Sequence, residues 1–349
     1  MHTFALRIGV ASLVAAAFLL ATWNVAVMAW DRGDVETFAV LPDGATGPEG
    51  IAVGPDGNVY VATFGFNNAG PVAGPGQLYV FRENDGRLIR QLSIAGSTSH
   101  LLGLDFHPST QTLLVIDFGA ANVRSVDPIT GLSSVCITVP TPPASTGLNA
   151  LTFDSAGNTY ISDSFQGIIW KKTGPGCGAA TAWVTHPLLT TAGVPPFGAN
   201  GLQFNKAGNA LFVANTGNDQ IIRIPVTGGS PGTPVIFVNS INGADGLVID
   251  KDDNIWVAAN QADEIVVVDP TGKAIAKLGD FDGITRDAAA RGLLFPASLA
   301  FSRDKQVVYV TNLALDLRLF ELTQSVDSQW IAKVKRYTVS KLEARIPRF

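Results

Sequence analysis

The chain has 349 residues, 46% hydrophobic and 15% charged, with 36 glycines, 20 prolines, a net charge of −5 and a pI near 5.4. That much apolar content excludes intrinsic disorder, and an acidic balance without clustered Lys and Arg excludes a nucleic-acid footprint. Many turn-formers between short apolar runs point to a large all-β body.

Met1–Arg7 carries one cation, Arg7, and Ile8–Trp30 is almost wholly apolar, with Val27-Met28-Ala29 as a small-x-Ala cleavage pattern. Residues 1–29 read as a signal peptide, or as an uncleaved N-terminal membrane anchor, since 23 residues also cross about 30 Å of hydrocarbon. Either reading exports residues 34–349 to the periplasm or the extracellular space, with membrane contact only if the segment stays attached. Cys136 and Cys177 lie in that exported body. They either pair, closing a loop of about 40 residues, or stay as buried thiols. Neither belongs to a CxxC, which argues against redox chemistry.

From residue 49 onward one pattern recurs. Glu49-Gly-Ile-Ala-Val is followed by Pro55-Asp-Gly-Asn and Val59-Tyr-Val-Ala. Asn149-Ala-Leu-Thr-Phe, Asn200-Gly-Leu-Gln-Phe and Asp245-Gly-Leu-Val-Ile each lead into a polar turn and a second apolar run. Leu102-Gly-Leu-Asp-Phe and Ala297-Ser-Leu-Ala-Phe are weaker copies. The first column therefore stands at 49, 102, 149, 200, 245 and 297, in steps of 45 to 53 residues. Each unit reads as four strands, best seen in Gly201–Phe204, Ala210–Ala214, Gln220–Pro225 and Pro234–Val238. Four-stranded units at this period predict an all-β, six-bladed β-propeller. After residue 30 only Arg286–Leu293 has a helical period. Either Val35–Leu41 or a C-terminal strand near Lys333–Val339 would close the ring.

In a propeller the first strand of each blade lines the axis. The first column thus gathers Glu49, Leu102, Asn149, Asn200, Asp245 and Ala297 around one point. Two carboxylates and two amide carbonyls are hard oxygen donors, suited to Ca²⁺ or another divalent ion, and their charge of −2 balances it. Without a cation, Glu49 and Asp245 would repel each other in a partly desolvated funnel. The competing use of Asn and Asp, to start strands after turns, explains any one position better than all four together.

Pro48-Glu49-Gly50, Asn149-Ala-Leu-Thr-Phe-Asp, Asn200-Gly-Leu and Asp245-Gly-Leu resemble the senescence-marker-protein/gluconolactonase group of calcium-dependent six-bladed propellers. The resemblance spans about residues 40–320. It implies one catalytic divalent ion, Ca²⁺, held by Glu49, Asn149, Asn200 and Asp245, and a small-molecule ester or lactone as substrate. Sugar-lactone members place an Arg two residues before the first Asn; Gly147 stands there, which argues against a sugar acid lactone.

On this reading the chain hydrolyses esters or lactones, with Asp245 or His100 activating water. His100 precedes the column by two residues on the mouth side, and its competing role is an exposed loop histidine. His107 falls on the opposite face as a structural residue, and His186 lies in the connection entering the fourth blade. Asp117, Asp163 and Asn215 end second strands on the mouth side, where capping of turns competes with a supporting role at the site. Asp250-Lys-Asp-Asp-Asn imitates an EF-hand start, but Ile255 and Gln261 replace the needed Gly and Glu, so it reads as a hairpin turn. The apolar mouth loops, with Phe64, Phe66 and Val194-Pro-Pro-Phe197, form a rim for an apolar substrate or pack on each other. Two alternatives stay open: a non-catalytic exported propeller that binds protein or glycan, and a metal-free enzyme of the strictosidine-synthase type.

Overall fold

The computed structural model describes residues 31–320 and 328–347; the N-terminal segment expected to direct export lies outside them. The sequence repeat folds as six antiparallel sheets, and their first strands neighbour one another in a closed ring. Blade one comprises Pro48–Val53, Val59–Thr63, Gln77–Phe81 and Leu88–Ser93. Blade two comprises Leu101–Phe106, Leu113–Asp117, Asn122–Val126 and Ser133–Thr138. Blades three to five begin at Leu148–Phe153, Ala199–Phe204 and Ala244–Ile249. Blade six takes Pro296–Phe301, Val307–Asn312 and Thr338–Glu343 from the C-terminal part, and Val35–Val40 as its outer strand. The expected N-terminal segment is therefore used, and the C-terminal strand pairs beside it but starts at Thr338 rather than near Lys333, with Val35 opposite Leu342.

Arg286–Leu293 is not helical. Its residues Ala290–Gly292 pair with Phe281–Ile284 in a short hairpin, because Gly292 at φ +70° and Ala288 at φ +61° leave the helical region.

The turns after the first strands of blades one, three and five are locked by a shared device. The Asp154 carboxylate accepts from the amides of Ala156 and Asn158, from Asn158 Nδ2 and from the Tyr160 hydroxyl. Asp250 repeats this with Asp252, Asn254 and the Trp256 indole, so the EF-hand imitation is a hairpin turn. Each Asp mimics a backbone turn and also pins an aromatic of the following strand.

Every first strand carries a register shift against its partner, from Pro48/Ile51 in blade one to Pro296/Leu299 in blade six. Such a bulge redirects the side chains it contains. The residue at its second position is the one that turns toward the axis. The third position must be small, because the neighbouring blade's backbone lies against it. A Cβ on Gly50 would fall 2.2 Å from the Leu102 carbonyl oxygen, and one on Gly246 2.7 Å from that of Ala297.

The core sits between blades. Tyr60, Leu78, Val80, Leu101 and Val115 pack blade one on two, and Trp256, Ile265, Leu299 and Val310 pack five on six. Each such side chain contributes roughly 1.5–3 kcal/mol relative to exposure. Cys136 and Cys177 are bonded, with Cα atoms 4.5 Å apart. The bond fastens the outer strand of blade two to Gly178–Ala179, which extends that sheet in parallel with Ile137–Thr138.

Candidate metal centre

The bulges bring Glu49, Asn149, Asn200 and Asp245 to the wall of one small cavity of about 30 Å³, all four only 4–5% exposed. Leu102 lines the same cavity, and Phe64, Pro195, Phe197, Phe295 and Leu315 roof it. That volume exceeds the 10–15 Å³ or so that a single water needs, and is far below that of a drug-sized ligand.

A second ring supports the first. It consists of the residues that follow the second strands: Phe64, Phe118, Ser164, Thr216, Asn260 and Leu313. Its three polar members stand in the blades that carry Asn149, Asn200 and Asp245. Asn149 Nδ2 donates to Ser164 Oγ at 3.4 Å, Asn200 Nδ2 to Thr216 Oγ1 at 2.9 Å, and Asn260 Nδ2 to Asp245 Oδ2 at 3.1 Å. By engaging amide nitrogens, Ser164 and Thr216 orient the two asparagines. Its apolar members, Phe64, Phe118 and Leu313, stand in blades one, two and six.

Among the buried side-chain atoms of the described residues, Glu49 Oε2, Asn149 Oδ1, Asp245 Oδ1 and Asn260 Oδ1 have no hydrogen-bond partner. A buried acceptor without a donor costs roughly 1–3 kcal/mol, more when charged. Four in one cavity are an unfavourable arrangement that a hard cation would relieve. Burial, with the charge of Asp245 beside it, raises the Glu49 carboxyl well above the usual carboxylate range. Burial pushes Asp245 up to about 7, and hydrogen bonds from Asn260 and Asn200 offset part of that rise.

Sequence reasoning missed Asn260, Ser164 and Thr216. Their signal is positional: each stands one residue beyond a second strand, a place apolar in the other three blades.

His100 is held outside the cavity wall. Its Nδ1 lies 2.7 Å from the Phe64 carbonyl oxygen, and its ring stacks on Phe66 at 4.9 Å. A carbonyl only accepts, so Nδ1 carries a proton, and in the neutral imidazole Nε2 holds the lone pair. His107 is buried, with Nε2 3.0 Å from the Gly157 carbonyl oxygen. His186 Nδ1 accepts from the Leu188 amide at the start of a short 3₁₀ turn. Asp117, Asp163 and Asn215 bind the loops that enter their own blades. Asp163 accepts from the Gly147, Phe165 and Gln166 amides and from the Trp170 indole; Asn215 donates to the carbonyls of Leu188 and Thr190. Capping explains them.

A model of the SMP-30/Gluconolactonase/LRE-like region matches residues 119–279. This is the family that the axial column resembles. The SMP-30/gluconolactonase-like stretch contains Asn149, Asn200 and Asp245. Glu49 lies in residues 37–64, which match the N-terminal region of strictosidine-synthase-like proteins. No curated protein sequence matches the chain. Among solved structures, a gluconolactonase from Xanthomonas campestris superposes over 91% of this chain and 93% of its own, at 15% identity and a TM-score of 0.61. Regucalcin, a calcium-binding protein from Agrobacterium tumefaciens, does so over 89% and 97%, at 16% identity and 0.61. Virginiamycin B lyase from Staphylococcus aureus, in an inactive form with quinupristin, covers 80% and 82%, at 17% identity and 0.52. At these identities the likeness establishes the propeller fold.

Proposed function

We propose that the chain is an exported, calcium-dependent hydrolase of lactones or esters, working at the axial site. The observation that carries this reading is the set of donorless buried oxygens on Glu49, Asn149, Asp245 and Asn260. Glu49, Asn149, Asn200 and Asp245 would hold the ion, with Asn260 beside them. A calcium ion bound there would polarise the substrate carbonyl and stabilise the developing oxyanion. Asp245 is the carboxylate available to take a proton from the attacking water, with Asn260 fixing one of its oxygens. The water oxygen bonds to the acyl carbon, the acyl C–O bond breaks, and the proton passes to the leaving oxygen. A lactone thus opens to a hydroxy acid, and an ester yields an acid and an alcohol. His100, with Nε2 free to accept, is the second candidate base. Leu102 and the roof of Phe64, Phe197 and Phe295 keep bulk water from the oxygens, which strengthens every charge interaction inside.

The likeness of residues 119–279 to the SMP-30/gluconolactonase region supports lactone chemistry, and the Cys136–Cys177 bond supports an oxidising, exported setting. A calcium-titrated screen of lactones, aryl esters and phosphotriesters tests the reading. Turnover that survives excess EGTA, with unchanged melting, would overturn it.

The 30 Å³ volume favours a second reading, in which the ion only ties the blades together and the faces bind a partner. That reading predicts calcium-raised melting with every substrate inert.

A further inference from the structure

Taking the axial site as the reaction centre, on the reading above, we infer that its substrate is uncharged and carries an apolar arm, and that Phe165 selects it.

The mouth loops around Phe165 carry no charge, although loop 41–47 of blade one carries Asp43 and loop 216–219 of blade four carries Asp219. Loops 64–76, 94–100, 118–121, 139–147, 164–167 and 186–198 contain no Asp, Glu, Lys or Arg. In their place stands an aromatic wall. Phe118 meets Phe165 at 5.7 Å and Phe197 at 6.3 Å between ring centroids, and Phe165 meets Phe197 at 5.8 Å. Phe197 lines the cavity that holds the oxygens, whereas Phe165 is 45% exposed. The three rings therefore run without a break from the reacting centre to solvent.

Gly147 makes the wall specific. A Cβ there would lie 2.8 Å from the Phe165 ring, so the ring occupies the space that any side chain at 147 would enter. The polar side chains that flank Phe165 already have partners. Gln166 Nε2 donates to Asp163 and to the hydroxyls of Thr141 and Thr146, and Ser164 Oγ donates to the Ala199 carbonyl. A polyhydroxylated arm laid on this wall would lose its water and find no partners, and unpaired polar groups are rejected strongly. An alkyl or aromatic arm would gain about fourfold in binding per buried methylene.

The test compares three lactones of one ring size, unsubstituted, hexyl-substituted and polyhydroxylated, with the calcium-loaded protein, Phe165→Ser and Phe165→Leu. Binding of a hexyl lactam, which resists hydrolysis, is measured by calorimetry on the same proteins. The hexyl arm should raise kcat/KM about 100-fold over the bare ring. Phe165→Ser should cut that advantage at least tenfold and weaken the lactam by a similar factor, and Phe165→Leu should restore most of both. A polyhydroxylated ring opened as fast as the hexyl one would overturn the inference and leave the hydrolase reading standing. Equal losses on bare and hexyl rings in Phe165→Ser would do the same. Should no lactone be opened, the hydrolase reading fails by itself. Lactam binding lost in Phe165→Ser would still uphold the wall, and equal or absent binding would overturn it.

Discussion

Asn260 Nδ2 donates to Asp245 Oδ2 across 3.1 Å, while Oδ1 of each side chain remains buried without a donor. One amide therefore both aims the carboxylate and adds an oxygen to the cavity. Asn260→Ala should lower calcium affinity about 10- to 100-fold, the usual effect of removing a partner that orients a ligand. Titration calorimetry reads this directly; an unchanged affinity would remove Asn260 from the site.

Asp245→Asn retains a carbonyl but loses a charge and the basic lone pair. Turnover should fall by roughly 10²–10⁴, more steeply than calcium affinity. Asn149→Ala should weaken calcium binding and recover activity in excess calcium. If Asp245→Asn keeps near-normal turnover at saturating calcium, Asp245 is a ligand only, and His100→Gln becomes the variant to assay.

The raised carboxyls of Glu49 and Asp245 make the calcium-free protein sensitive to alkali. An acid whose folded pKa is raised stabilises the fold below its unfolded pKa, and that stability is lost as pH climbs through the folded value. For Asp245 the window runs from about 4, the unfolded value, to about 7. In EGTA the melting temperature should fall by several degrees between pH 5 and pH 8. Calcium should abolish the decline, since the ion favours the charged forms. A flat profile in EGTA would show that these carboxylates are not desolvated together.

Cys136 and Cys177 close a loop with a sequence separation of 41. In the chain-entropy treatment such a bond is worth about 4 kcal/mol. Reduction, or Cys136→Ala with Cys177→Ala, should lower the melting temperature while leaving calcium affinity nearly intact, because the bond lies at the outer edge of blade two. A loss of calcium binding in the double variant would contradict that placement.

The blade count and the axial column were legible because position 49 and its five counterparts recur at nearly constant steps, each followed by Gly, Ala or Ser and most by an Asp-containing turn. Asn260 was not, because its ring is polar in only three consecutive blades and apolar in the other three. Only the pairing of polar members with polar column residues gives it meaning, and that pairing exists in space. The bulges were equally hidden. A shift between Pro48 and Ile51 leaves the apolar run unbroken, although it decides that Glu49, rather than a neighbour, faces the axis. The seam was ambiguous because Val35–Leu41 and Lys333–Val339 both read as strands; the first is the outer strand, and its partner begins later than expected, at Thr338.

That seam constrains how the molecule comes into being. Val35 emerges from the ribosome about 300 residues before its partner Leu342. Until Thr338–Glu343 is made, the outer edge of the future sixth sheet has nothing to pair with. Open strand edges recruit other chains, and contacts this distant in sequence form slowly. Nascent chains are therefore at greatest risk of self-association just before that strand appears. A chain cut short before Thr338–Glu343 leaves Val35–Val40 unpaired and blade six without its third strand, so such a truncation should cost solubility before it costs any of the other five blades.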